Sequence, residues 1–310
     1  MKVLTTSSSF GKVNPEPLEK LISAGLTVEQ NPYGRKLTIE ESKNLYPGVD
    51  LLIAGTEKIN YENLSHANRL KFICRLGVGM DNVDRKAAES RNIELDNTPS
   101  AHVDGVAELT LAGMLDMCRH ISRLDRNIRK GIWNKHMGFL LKGKTIGIVG
   151  LGQVGKRLVE LLKPFSVQIL AYDLYPDKEF AERNNIKWCD LNELFTISDL
   201  ISLHVPGIKE NYHMISYDLL EQAKDHLMLI NIARGGIVNE DALFEFLNKH
   251  RDASAYVDTF EQEPYSGPLL ELENCLLTPH IGSYAREVRV NMEMEAAEKI
   301  IDKYNRIKNG

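Results

Sequence analysis

Short apolar runs alternate with amphipathic stretches along the first hundred residues. Runs of β type cover 2–5, 50–54, 71–74 and 93–95, and helical stretches fall around 17–24, 39–45, 61–67 and 83–90. This alternation predicts a parallel sheet covered by helices, an α/β domain in its own right. Thr98-Pro99-Ser100 breaks the pattern, because a proline disfavours helix at the residue before it. From 101 to 121 the positions Val103, Val106, Ala107, Thr110, Leu111 and Met114 recur at helical spacing. They predict one long amphipathic helix connecting two domains.

A second α/β pattern follows. The apolar run from Lys144 ends in Gly150-x-Gly152-x-x-Gly155, a helical stretch covers 156–163, and a second apolar run over 167–172 ends at Asp173. A lone GxGxxG is weak evidence. Strand, glycine turn, helix, strand and an acid roughly 20 residues on together predict dinucleotide binding. In this reading Gly150 permits the tight turn, Gly152 admits the pyrophosphate and Gly155 lets helix and strand approach. The amides of Gln153 and Val154 open the helix, where its partial positive charge favours phosphate. Asp173 accepts from the adenosine ribose, and its charge selects NAD over NADP. Further strands are predicted over 200–204, 227–232, 253–258 and 275–278, and a last helix over 284–305 returns to the N-terminal domain.

Size and charge narrow the field. A chain of 310 residues is expected to form two domains. With 38 basic against 43 acidic residues, the net charge of −5 argues against nucleic acid or an anionic membrane as the main partner. The apolar runs are too short to span a bilayer, and Met1-Lys-Val-Leu opens a strand with no secretory leader pattern behind it. Cys74, Cys118, Cys189 and Cys275 form no CxxC pair. They fit thiols of a reducing cytosol better than a disulfide framework, and no metal site is expected.

Three side chains stand just past apolar runs on the expected rim of the second sheet: Arg234, Glu263 and His280. Each alone has a plain explanation, as a surface charge, a turn residue or a loop histidine. Together they match the needs of 2-oxoacid reduction, in which hydride reaches the keto carbon and a proton its oxygen. An imidazole, with an unperturbed pKa of ~6.5, supplies that proton near neutrality, and a neighbouring carboxylate stabilises its charged form. An arginine fork holds a carboxylate and polarises a carbonyl.

These motifs resemble the D-isomer-specific 2-hydroxyacid dehydrogenase family, and within it short phosphoglycerate dehydrogenases. The likeness is carried by Gly77-Val-Gly-Met-Asp-Asn-Val-Asp84, Val106-Ala-Glu-Leu-Thr110, the glycine turn, Leu203-His-Val-Pro206, and the segments around Arg234, Glu263 and His280. The resemblance implies a Rossmann nucleotide-binding domain, 100–284, inserted into a flavodoxin-like α/β substrate-binding domain, 1–99 and 285–310. It places the catalytic groups at Arg234, Glu263 and His280, and assigns the nicotinamide amide to Asp258. Further NAD contacts are implied at His204, Pro206, Ile232, Ala233, Gly282 and Ser283. The substrate carboxylate is implied at the backbone of Val78 and Gly79, with Arg234 and His280 completing the substrate contacts. A cytoplasmic homodimer through the 101–138 segment is also implied, with no regulatory domain after Gly310.

Two departures matter. After Pro206 the family usually continues Leu-Thr, whereas here Gly207-Ile-Lys follows, a change expected to alter packing without touching a catalytic role. Ala54-Gly55-Thr56 stands where many phosphoglycerate dehydrogenases have a phosphate-binding arginine, which Lys58, Arg75 or Arg286 would have to replace. The leading expectation is therefore NAD-dependent interconversion of a small D-2-hydroxyacid and its 2-oxoacid, with 3-phosphoglycerate first. Hydroxypyruvate or glyoxylate reduction is the alternative substrate reading. A non-catalytic, NADH-sensing corepressor-like protein is the alternative of another class, disfavoured by the intact acid–base pair.

Overall fold

Apolar continuity in the central strands builds the sheets. In a computed structural model describing residues 1–309, the chain divides into two compact units: Met1–His102 with the segment from Ser283 onward, and Val103–Gly282.

The first unit carries β1 (Lys2–Thr5), β2 (Thr27–Gln30), β3 (Leu51–Ala54), β4 (Phe72–Arg75) and β5 (Glu94–Asn97). They form one parallel sheet in the order β2-β1-β3-β4-β5. β3 is buried along its whole length, as a parallel strand covered on both faces must be. β2, absent from the sequence expectation, is an edge strand of mostly exposed residues, so its apolar signal is weak. Helices α1 (Glu16–Ser23), α2 (Ile39–Leu45), α3 (Tyr61–Leu64) and α4 (Arg85–Glu89) connect the strands. Thr38 and Glu41 form a reciprocal capping box that starts α2.

The second unit opens with α5 (Val103–Arg119) and α6 (Ile121–Arg129). The long helix expected over 101–121 is α5, which ends at Arg119: His120 adopts φ 54°, a left-handed conformation that separates it from α6. Then come β6 (Thr145–Val149), α7 (Gln153–Leu162), β7 (Gln168–Tyr172), α8 (Lys178–Arg183), β8 (Ile186–Trp188), α9 (Leu191–Ile197) and β9 (Leu200–Leu203). The unit ends with α10 (Tyr217–Leu220), β10 (Met228–Asn231), α11 (Glu240–Lys249), β11 (Ser254–Val257) and β12 (Cys275–Leu277). Its sheet is parallel, in the order β12-β11-β10-β9-β6-β7-β8.

The last helix, α12 (Arg286–Asn309), belongs to the first unit. Its Val288, Met292, Ala296 and Ile300 share a core with Val3, Leu21, Leu51, Ile53 and Phe72. Each sheet reverses its strand order once, at β1/β3 and at β6/β9. Open parallel sheets bind ligands outside the carboxyl ends at such reversals. No described helix is long and apolar enough to cross a membrane. The described residues contain no cluster of three or more His, Cys, Asp or Glu able to hold a metal, and all four cysteines are free.

Candidate active site

The glycine turn lies at the β6/β9 reversal. Gly150 has φ +93°, and a Cβ there would stand 2.7 Å from the His204 carbonyl oxygen; at Gly155 a Cβ would stand 2.5 Å from the Gly150 oxygen. Only glycine lets these segments approach so closely. Gly152 starts α7 with no side-chain cap, and a Cβ there would meet nothing within 4 Å. The N-terminus of a ten-residue helix, with the Gln153 and Val154 amides at its head, therefore faces open space suited to a diphosphate. Asp173, past the end of β7, accepts from Leu151 N at 2.7 Å and Tyr175 N at 2.8 Å. Its carboxylate thus braces the glycine turn and keeps lone pairs for a ribose hydroxyl.

His204 follows β9, its ring Nε2 2.9 Å from the Ser202 hydroxyl. Loss of water around the ring pulls its pKa down to about 4, so the imidazole is neutral at physiological pH. Pro206 lies beyond it, its carbonyl accepting from the Asn211 side chain at 2.9 Å.

After β10 the chain passes buried Ile232 and half-buried Ala233 to Arg234. The sequence pattern gave no role to Asn231, yet its side chain accepts from Ala233 N at 3.2 Å and donates to the Arg234 carbonyl at 2.9 Å. An asparagine closing an apolar run just before a turn was the available signal. The Arg234 guanidinium donates to the Ala233 carbonyl at 2.7 Å. The departure at Gly207 lies closer to this arginine than expected: a Cβ on Gly207 would stand 2.9 Å from Arg234 Cγ and 3.1 Å from its Cβ. A second unforeseen group is His213, whose ring lies 2.7 Å from Glu261 and whose backbone N donates to the Gly236 carbonyl at 2.6 Å. It braces the turn after Arg234.

The loops after β11 and β12 bring the remaining groups together. Asp258 is fully buried and accepts from Thr278 Oγ1 at 2.5 Å, Ile281 N at 2.8 Å and Gly282 N at 3.0 Å. It ties both sides of the segment that carries His280. Within that segment His280 has φ 54°, a left-handed conformation uncommon outside glycine. Its Nδ1 lies 2.9 and 3.0 Å from the two Glu263 carboxylate oxygens, and both side chains remain substantially exposed. The Glu263–Pro264 peptide is cis. The pair leaves the Nε2 of His280 directed away from its carboxylate partner, able to exchange a proton with a bound molecule. Ser283 follows Gly282 as the first residue of the C-terminal segment assigned to the first unit.

In the first unit, Val78 and Gly79 lie in the loop after β4. Gly77 N donates to Thr98 Oγ1 at 2.7 Å, and the Asn97 side chain donates to the Val78 carbonyl at 2.7 Å. Among the described residues, no acceptor takes the Val78 and Gly79 N–H groups. Of the three cations proposed for a phosphate, Lys58 and Arg286 are exposed, and Arg75 donates to the Leu76 carbonyl at 3.0 Å.

Residues 111–282 match the model of the D-isomer specific 2-hydroxyacid dehydrogenase NAD-binding domain. The chain belongs to the D-isomer specific 2-hydroxyacid dehydrogenase family. It is 37% identical to a D-3-phosphoglycerate dehydrogenase of Archaeoglobus fulgidus over 97% of this chain, and spans only 57% of that relative. It is 36% identical to a glyoxylate reductase of Thermococcus litoralis, over 92% of this chain and 88% of that one. Among solved structures, the TT0316 protein of Thermus thermophilus superposes with a TM-score of 0.88 at 31% identity, covering 97% of this chain and 96% of its own. NAD is the family's cofactor, and the open helix N-terminus at Gly152 with Asp173 beyond it fits that group.

Proposed function

We propose that the chain interconverts a small D-2-hydroxyacid and its 2-oxoacid, with 3-phosphoglycerate and 3-phosphohydroxypyruvate as the first pair. The observation that carries the reaction is the His280–Glu263 pair, on the same carboxyl rim as the glycine turn. When bound, NADH supplies the hydride that the carbonyl carbon accepts. His280 gives its Nε2 proton to the carbonyl oxygen, and Glu263 holds the ring through Nδ1 in the orientation that this needs. Arg234 holds the substrate carboxylate and polarises the carbonyl. The Val78 and Gly79 amides take carboxylate oxygens. Asp258, with one lone pair beyond its three internal donors, receives the nicotinamide amide. The balance is 2-oxoacid plus NADH plus a proton, giving 2-hydroxyacid plus NAD.

The phosphoglycerate assignment rests on the Archaeoglobus relative and on the Gly77–Asp84 motif. A second reading, reduction of glyoxylate or hydroxypyruvate, is favoured by the names of other relatives and by Ala54-Gly55-Thr56 in place of an arginine. A second copy of the chain is the partner we assign to the 121–140 segment, where Trp133, Met137 and Leu140 are exposed. The deciding experiment is NADH oxidation with 3-phosphohydroxypyruvate, hydroxypyruvate, glyoxylate and pyruvate side by side. His280→Ala, Glu263→Gln and Arg234→Ala are expected to lower kcat/KM by roughly 10²–10⁴ with NADH affinity retained. Full turnover in His280→Ala would remove the mechanism. No turnover on any acid, with tight NADH binding, would favour an NADH sensor.

A further inference from the structure

The phosphate-binding cation sought at Lys58, Arg75 or Arg286 has a better candidate on α12. Arg289 extends to the loop after β1, where its Nη2 donates to Ser9 Oγ at 2.7 Å and to Ser7 Oγ at 3.2 Å. The two hydroxyls lie 3.2 Å apart. Glu293, fully buried one helical turn on, lies 3.4 Å from the same Nη2 and accepts from Gly11 N at 2.9 Å. The Arg289 Nε is buried and has no partner among the described residues. A guanidinium fixed from one side thus keeps donors unspent, and buried donors of this kind are costly unless something accepts from them.

The location is a ligand position by topology. Ser7 and Ser9 leave the carboxyl end of β1, and Gly55 and Thr56 leave that of β3, the two strands at which this sheet reverses. The loops touch: a Cβ on Gly55 would stand 3.3 Å from the Ser7 Cα, and Thr6 Oγ1 accepts from Gly55 N at 2.9 Å. Val78 and Gly79 follow β4, two strands from β1 in the same sheet. At ~4.8 Å per strand the two loops are about 10 Å apart. That separation suits an acid carrying a group beyond C2 and exceeds the reach of a two-carbon acid.

We propose that Arg289, Ser7 and Ser9 bind the oxygen substituent at C3 of the substrate, a hydroxyl or a phosphate. This rests on the reduction reaction proposed above and names the feature that selects its substrates. Glu293 offsets part of the charge and fixes the guanidinium, and the serine hydroxyls supply the remaining contacts. If the cluster were only a strut between α12 and the β1 loop, every substrate would suffer alike from its loss.

The test uses the full chain and four acids: 3-phosphohydroxypyruvate, hydroxypyruvate, pyruvate and glyoxylate. Arg289→Ala, and separately the Ser7→Ala/Ser9→Ala pair, which keeps Arg289 on Glu293, are assayed for kcat and KM. We expect kcat/KM for the two acids with a C3 oxygen to fall by about tenfold or more, through KM, while pyruvate and glyoxylate stay within about threefold. A larger loss for phosphohydroxypyruvate than for hydroxypyruvate identifies the phosphate as the group held. Parallel losses on all four acids in both variants, or unchanged ratios, would overturn the subsite. Wild-type protein inactive on every acid would instead overturn the reaction, and the subsite with it.

Discussion

A single missing side chain sets the environment of the arginine expected to hold the substrate. Gly207 stands where the family usually has leucine, and its Cα side lies directly against the Arg234 stem. Restoring leucine forces the stem to move, since a Cβ contact of 2.9 Å is closer than packed carbons tolerate. Gly207→Leu is therefore expected to raise KM for the 2-oxoacid by about tenfold, ~1.4 kcal/mol, with the Kd for NADH within about threefold. Wild-type kcat/KM in Gly207→Leu would show that Arg234 has room to spare. His204 gives a second prediction at this scale. Its pKa lies at about 4 in the fold against 6.5 when unperturbed, so below 6.5 the unfolded chain takes up a proton that the folded one refuses. Stability from this group is complete above pH 6.5 and is lost as pH falls towards 4. At ~1.4 kcal/mol per pH unit the loss is at most about 3 kcal/mol. Denaturant titrations of wild type and His204→Gln between pH 4 and 7 should show a shallower decline in the variant. Equal slopes would mean that His204 protonates freely in the folded chain.

At the scale of elements, the site is a set of strand-end loops held by buried polar residues. Asp258 is the central example, because three donors from the loop after β12 converge on one carboxylate. Asp258→Asn turns one of its oxygens into a donor facing another donor. Losing a charge-assisted bond and leaving a buried N–H unpaired cost about 2–4 kcal/mol. A thermal midpoint lower by roughly 4–16 °C is expected, at about 2–4 °C per kcal/mol for a unit of this size. An unchanged Tm would show that the loop after β12 is fixed by other contacts. The sequence made much of this scaffold legible, because central parallel strands are buried on both faces and read as apolar runs. Exposed β2 carried no such pattern, and nothing in the apolar spacing marked the left-handed His120 that separates α5 from α6. Arg234, Glu263 and His280 were visible as polar residues closing apolar runs. Asn231, His213 and Arg289 were not, because their partners lie in loops or on helices that only the fold brings together. Arg289 shows the difficulty most clearly: 280 residues of chain separate it from Ser9.

Over the whole molecule, α6 and the residues after it leave large apolar groups uncovered by this chain. None of the nine residues of α6 is buried, although Ile121 and Ile128 lie on it. The following residues add Ile132, Trp133 at 82% exposure, Met137 at 91% and Leu140, concentrating large apolar groups in one stretch of about twenty residues. Isolated exposed apolar residues are ordinary, but a concentration on this scale marks an interaction surface. A second copy covering the same segment would bury both sets symmetrically. Sedimentation velocity at micromolar concentration is expected to give twice the chain mass for the wild type. The Trp133→Asp/Met137→Asp double variant should shift towards the monomer, and a dimer's thermal midpoint should rise with protein concentration. A wild type that sediments as a monomer, with a concentration-independent midpoint, would show that the exposed 121–140 segment has no partner in its own kind.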